Sequence, residues 1–189
     1  DLTSKLKRSV DLLGRNLNSE IRNNIDGGAV VLDNRGRIVA IAGRKGYNNA
    51  GQLAIPLEYK VPMASTVKPI VFATAYELGL FSSSDQLDDS RPAAYYPDNW
   101  DEDKLGDGAY ERVWNLEGAL ANSNNVITRK VYDKIVASNG GFDAFVNNLE
   151  ALGFDVTEYR QKGPKDGNNN ALGSRHATPL EVAAAYGVF

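Results

Sequence analysis

Ser65 and Lys68 stand three residues apart in Pro62-Met63-Ala64-Ser65-Thr66-Val67-Lys68-Pro69, just ahead of the apolar run Ile70-Val71-Phe72-Ala73-Thr74-Ala75-Tyr76. A hydroxyl and an amine at that spacing share one face of a helix, so the serine can act as nucleophile and the lysine as its base. Both would sit at the positive end of the helix macrodipole. There a deprotonated serine is favoured, a protonated lysine is disfavoured, and burial lowers the lysine pKa further. Ser-x-x-Lys alone is a short pattern that chance supplies in many helices, and the plain alternative is a capped, buried helix. Pro69 removes the amide that would bond the Ser65 carbonyl, which suggests geometry chosen for something other than helix stability.

A second element supplies context. Ser123-Asn124-Asn125 lies within Leu116 to Ile127, where one helical pattern ends and another begins. In an acyl-transfer site Ser123 could relay a proton between Lys68 and a leaving group, while the Asn125 amide could hold a peptide carbonyl or the lysine. Ser-x-x-Lys, a Ser-Asp-Asn-type element and Lys-Thr-Gly form the motif set of penicillin-binding proteins and class A β-lactamases. The first two occur here in that order.

The resemblance extends along nearly the whole chain. Gly28 to Gly43 resembles the opening β-hairpin of the transpeptidase domain of bifunctional (class A) penicillin-binding proteins. Pro62 to Pro69 is similar to that family's proline-glycine-serine-x-x-lysine-proline segment, from which Met63-Ala64 departs. Tyr96-Pro97-Asp98-Asn99 and Leu116 to Asn125 resemble the stretch leading to the Ser-x-Asn motif. Ala171-Leu172-Gly173-Ser174 and Thr178 to Tyr186 match a segment just after it. The implied fold is α+β: the N-terminal and helical part of a penicillin-binding protein/serine β-lactamase-like transpeptidase, with a short antiparallel hairpin and several helices. Its expected organisation is an N-terminal helix over 1–26 and a partial transpeptidase domain over 27–189. Within the latter fall a hairpin at 28–43, a nucleophile helix at 65–78, an acidic loop at 82–114 and a helical region at 115–189.

No Lys-Thr-Gly or Lys-Ser-Gly triplet occurs in the 189 residues; Lys162-Gly163-Pro164 and Lys165-Asp166-Gly167 lack the hydroxyl residue. The expectation is a domain truncated before its third motif. In the family that part supplies further sheet strands, an oxyanion-hole donor and the residues that grip the substrate carboxylate. Loss of one oxyanion donor typically costs roughly 10²- to 10³-fold in rate, so weak or absent acylation is expected of this chain alone. An incomplete sheet also implies a hairpin edge in want of a neighbour, to be met by self-association or by a C-terminal piece.

Composition narrows the alternatives. With 21 basic and 24 acidic side chains the net charge is −3, which gives no general attraction to nucleic acid or anionic lipid. The absence of cysteine removes thiol nucleophiles, disulfides and thiolate metal sites, and the single histidine, His176, excludes multi-histidine metal sites. Gly173 to Pro179 reads as a helix-entry turn with Thr178 as N-cap and Pro179 at the first helical position, leaving the base role to Lys68. Gly43-Arg44-Lys45-Gly46 lacks the spacing of a phosphate-binding loop. No long apolar run or signal-peptide pattern is present, so any membrane attachment is expected through segments outside this sequence.

Apolar residues at Leu6, Val10, Leu13, Leu17 and Ile21 predict the first helix. Asp33-Asn34-Arg35-Gly36 is a turn between two short β-branched runs. Residues 43–57 read as loop. The acid-rich stretch from Ser82 to Trp114 reads as a solvated insert, with Tyr95, Tyr96, Trp100 and Tyr110 available to pin it to the core or border a cleft. Val126 to Val136 and Phe142 to Leu152 carry helical periodicity, and Arg160 to Asn170 reads as a loop.

The resemblance implies a D,D-transpeptidase with Ser65, Lys68 and Ser123 catalytic and Asn125 substrate-binding, acting on peptidoglycan stem peptides and acylated by β-lactam antibiotics. It requires no cofactor or metal. It also implies a location at the extracytoplasmic face of the bacterial cytoplasmic membrane. Three alternatives stand beside it: a serine β-lactamase-like hydrolase, a non-catalytic homologue used for binding or sensing, and an unrelated helical interaction protein.

Overall fold

The computed structural model describes residues 1–12, 27–43, 55–82, 84–99 and 112–189. In chain order these form α1 (Leu2–Asp11), β1 (Gly28–Leu32), β2 (Ile38–Gly43), a 3-10 turn (Ala64–Val67), α2 (Lys68–Glu77), β3 (Gln86–Asp88) and β4 (Val113–Asn115). Helices α3 (Leu116–Ala121), α4 (Asn125–Ala137), α5 (Gly141–Ala151), α6 (Thr157–Lys162), α7 (Gly167–Leu172) and α8 (Pro179–Ala185) follow. Helices mixed with short antiparallel strand pairs make this an α+β fold. The chain divides into two compact units: Asp1–Val61 with Leu152–Phe154 and His176–Phe189, and Pro62–Ala151 with Asp155–Arg175.

The first unit is organised on the hairpin. β1 and β2 run antiparallel with Val30 opposite Ile41, and the register shifts between Val31 and Leu32. Asp33 sets the turn, its Oδ1 accepting from the amides of Arg35 and Arg37 at 2.9 Å each, while Gly36 takes φ of 75°. Both α1 and α8 pack on the hairpin, α1 burying Val10. α8 begins with a reciprocal cap, Thr178 Oγ1 accepting from Glu181 N and Glu181 Oε2 from Thr178 N. His176 is exposed just before it. The predicted continuation of the first helix to residue 26, and most of the loop expected over 43–57, lie outside the described residues; residues 55–58 form a helical turn.

The second unit is built around α2, whose apolar residues occupy most of its circumference and are buried up to Ala75, with Tyr76 and Glu77 exposed at its end. Ile70, Val71, Phe72 and Ala75 are at most 1% exposed, and α2 packs against α4 and α5. Tyr132, Phe145 and Tyr159 continue this core edge to face, with ring centroids 5.5 and 5.8 Å apart.

Three expectations need correction. Pro69 is no anomaly. The α-helix proper begins at Lys68, so Pro69 falls in its first turn, where amides have no intrahelical partner, and Lys68 N donates to the Ser65 carbonyl instead. The stretch from Ser82 to Trp114 is not simply a solvated insert. β3 and β4 pair, Leu87 facing Trp114, and Asp89 is fully buried between them and α4. Trp100 and Tyr110 lie outside the described residues, whereas Tyr96 is pinned to α4, its hydroxyl donating to Asp133 at 2.5 Å. Finally, Arg160 to Asn170 contains parts of two helices rather than a loop. The asparagines of the second have low intrinsic propensity, but tertiary bonds outweigh it: Asn170 Nδ2 donates to Tyr132 Oη and to the Gly163 carbonyl, both at 2.9 Å.

The turn that carries Ser65 is braced from behind. Met63 N donates to the Arg175 carbonyl and Ala64 N to the Gly173 carbonyl, both at 2.8 Å. Arg175 is anchored by Glu158 at 2.6 Å and by Asp166, and its guanidinium lies over the Tyr159 ring. Gly173 has φ of 74°, and a Cβ there would come within 2.2 Å of the Ala64 carbonyl oxygen. Gly173→Ala therefore meets both left-handed strain, about 1–2 kcal/mol, and a collision with the backbone next to Ser65. The expected outcome is a lowered urea midpoint with a loss of at least about 2 kcal/mol.

Candidate active site

α3 and α4 meet in a turn whose three residues each have a separate task. Ser123 N donates to the Leu120 carbonyl and Asn124 N to that of Ala119, both at 2.9 Å, closing α3 with a Schellman turn. Ser123 takes the left-handed position of that turn, φ 53°, where glycine is usual. Asn124 starts the next helix, its Oδ1 accepting from Ile127 N at 2.9 Å. Asn125 is the first residue of α4; its amide donates to Asn99 Oδ1 and its Nδ2 to the Asp98 carbonyl.

This turn gathers three acceptors on one amine. Lys68 Nζ lies 2.6 Å from the Ser123 carbonyl, 3.0 Å from Ser123 Oγ and 2.5 Å from Asn125 Oδ1. Lys68 is 1% exposed. No carboxylate lies within ion-pair distance of it among the described residues, so burial dominates and lowers its pKa to about 8. Of the two roles read for Asn125, holding a peptide carbonyl or holding the lysine, the structure shows the contact with the lysine.

Ser65 behaves differently from expectation. It sits in the 3-10 turn, is exposed, and its hydroxyl has no hydrogen-bond partner among the described residues. The direct Ser65–Lys68 side-chain bond is not formed, because the amine is taken up by the Ser123 and Asn125 oxygens. Such contacts are often long or absent before a substrate binds. The structure thus brings Lys68, Ser123 and Asn125 together and leaves Ser65 exposed one turn before Lys68.

A supporting layer escaped the sequence reading. Asp89 Oδ2 accepts from Trp114 Nε1 at 2.9 Å and Asn124 Nδ2 at 3.0 Å, and its Oδ1 accepts from Arg112 N at 2.9 Å. Asn99, 4% exposed, accepts from the amides of Asn125 and Val126. Asn99 was visible as the last residue of the Tyr96-Pro97-Asp98-Asn99 segment. Asp89 carried no signal among so many neighbouring acids.

A buried lysine of lowered pKa, a serine and an asparagine on one turn, and an exposed serine before the lysine are the kinds of group that serine-based acyl transfer draws on. The family profile described as "Penicillin binding protein transpeptidase domain" matches residues 27–189, and the chain belongs to that family. It is 29% identical over 188 residues to penicillin-binding protein 1A of Aquifex aeolicus (strain VF5), covering 95% of the chain and 23% of that relative. It is 31% identical over 131 residues to penicillin-binding protein 1A of Haemophilus influenzae, covering 68% of the chain and 14% of that relative. The chain therefore spans less than a quarter of the length of either.

The buried amine has a consequence for stability. Because its folded pKa of about 8 lies below the ordinary 10.5, the unfolded chain holds the proton more tightly between those values, and stability rises with pH across that window. Relative to Lys68→Met, the wild type is expected to gain about 2 kcal/mol between pH 7.5 and 9.5 in urea titrations. Above pH 10 the trend is opposed by Tyr96, Tyr132 and Tyr159, whose pKa values are raised by burial, so the comparison stops short of that range.

Proposed function

We propose that this domain is a peptidoglycan D,D-transpeptidase that cross-links stem peptides through an acyl-serine intermediate. Ser65 Oγ attacks the carbonyl carbon of the D-alanyl-D-alanine bond and gives its proton to neutral Lys68. The proton passes by way of Ser123 to the departing nitrogen, the carbon–nitrogen bond breaks, and the terminal D-alanine leaves. An amine of a neighbouring stem then attacks the Ser65 ester, returning the proton by the same route and freeing the serine. Asn125 orients Lys68 and is within reach of the substrate's peptide group. β-Lactams acylate Ser65 in the same way.

The observation that carries this reading is the Lys68 amine: buried, free of any ion pair among the described residues, and shared between Ser123 and Asn125. With a pKa of about 8, roughly one amine in ten is neutral at pH 7, against roughly one in three thousand for an ordinary lysine. General-base help of this kind contributes about 10²- to 10⁴-fold. Among the described residues no helix is long and apolar enough to cross a membrane. The reading places the domain at the extracytoplasmic face of the bacterial cytoplasmic membrane, where stem peptides are found. No Lys-Thr-Gly triplet lies within the 189 residues, so acylation of the chain by itself is expected to be slow.

The test is the intact mass after incubation with benzylpenicillin, taken for this chain and for a version extended through the family's third motif, each beside Ser65→Ala. A single adduct on the extended version, lost in Ser65→Ala and formed with a pH midpoint near 8, is the expected result. A folded extended version that stays unmodified would favour a binding or sensing module, and rapid turnover of the drug a β-lactamase-like hydrolase.

A further inference from the structure

Asp89 belongs to none of the motifs, yet it is the most completely enclosed acid among the described residues, with its side chain 0% exposed. Its partners are all donors. Oδ1 receives Arg112 N; Oδ2 receives Trp114 Nε1 and Asn124 Nδ2, with Asn99 Nδ2 at 3.5 Å and the Arg112 guanidinium at 3.7 Å. A carboxylate, which accepts on both oxygens, satisfies this set; an asparagine would turn an NH₂ group toward an N–H at one end or the other. Leaving a buried donor unmatched costs far more than the bond itself is worth, so the enclosure specifies an acid.

The contacts lead in two steps to the reacting groups. Asn124 holds Asp89 with one end of its amide and the first turn of α4 with the other. Asn99, beside Asp89, fixes the amides of Asn125 and Val126. Between these fixed points lie the Ser123 carbonyl, Ser123 Oγ and Asn125 Oδ1, the three oxygens that meet Lys68. Ser123 itself is held in a left-handed conformation that a free chain would abandon.

We propose that Asp89 is a positioning residue for the transpeptidase site: its buried carboxylate locks Asn124 and the β4 tryptophan, and so holds the Ser123–Asn125 turn in the one geometry that presents three oxygens to Lys68. The role rests on the acyl-transfer reading of the site, whereas the geometry does not. Its consequence is separable from folding. When the link is cut the turn relaxes, water reaches the amine, and Lys68 recovers the basicity of an ordinary lysine. No carboxylate among the described residues bonds to Lys68, and water replaces the three oxygens as acceptors when the turn opens, so relief of burial is the main influence left to change.

Two variants cut the link differently. Asp89→Asn keeps the shape and mismatches the donors. Asn124→Ser keeps an oxygen that can cap α4 but has no amide to reach Asp89, and it carries the test should Asp89→Asn fail to fold. In this chain the Lys68 titration is followed by the ¹³Cε shift of labelled lysine, assigned with Lys68→Met. The expected result is a midpoint about one unit or more higher in folded Asp89→Asn or Asn124→Ser than in the wild type. In the extended version, the rate constant for benzylpenicillin acylation is expected to fall about 10- to 100-fold with little change in the preceding binding constant, in keeping with a misplaced base. A folded variant whose Lys68 titrates as in the wild type overturns the proposal, whatever its acylation rate. A shifted Lys68 in a protein whose wild type never acylates would uphold Asp89 as the anchor of the turn and overturn the transpeptidase reading instead.

Discussion

An ammonium group removed from water without a counter-charge is among the more costly things a fold can contain. Among the described residues no carboxylate meets Lys68, which makes it such a group, and much of the second unit can be understood as what is needed to keep it there. The apolar ring of α2 excludes solvent, and three oxygens from one turn replace it. None of the three is charged. They hold the amine with less stabilisation of its protonated form than a carboxylate would give, so burial still lowers its pKa to about 8 and a usable fraction is neutral near pH 7.

Placing three acceptors on one amine demands a backbone that does not drift. Two braces provide it, and they are built from unlike materials. Behind Ser65 the brace is backbone on backbone, Met63 and Ala64 against Arg175 and Gly173, with an arginine clamp keeping the outer strand of contacts in place. Behind Ser123 it is side chain on side chain, with Asp89, Asn99 and Asn124 enclosed beneath the β3–β4 pair. Polar networks of this kind are stiff when every member is satisfied, and this one leaves Asp89 and Asn124 with a partner on each side.

How much of this could be read in the residues depended on whether the cause was local. The hairpin was legible because Asp33-Asn34-Arg35-Gly36 is a turn by its own chemistry, and the α8 cap because Thr178, Pro179 and Glu181 lie within one helical turn. Ser65, Lys68, Ser123 and Asn125 stood out through spacing and family likeness. What could not be read depended on distant partners. The hydroxyl of Ser123, brought 55 positions along the chain to Lys68, displaced the expected Ser65–Lys68 contact. Asp89 looked like one more solvated acid until strands 25 residues apart closed over it. The short helix α7 likewise depends on bonds to Tyr132 and Arg129 rather than on propensity.

Ala64 and Ser123 are the only non-glycine residues with positive φ among those described, and each adjoins or belongs to a motif. Glycine would relieve the backbone at both. At 64 nothing but a methyl group would be lost; at 123 the hydroxyl that meets Lys68 would go with it. Selection for thermal tolerance alone would thus drive both positions the same way, harmless at one and ruinous to the Lys68 contact at the other. The serine at 123 carries a backbone cost that glycine would avoid, and the contact with Lys68 is what accompanies that cost.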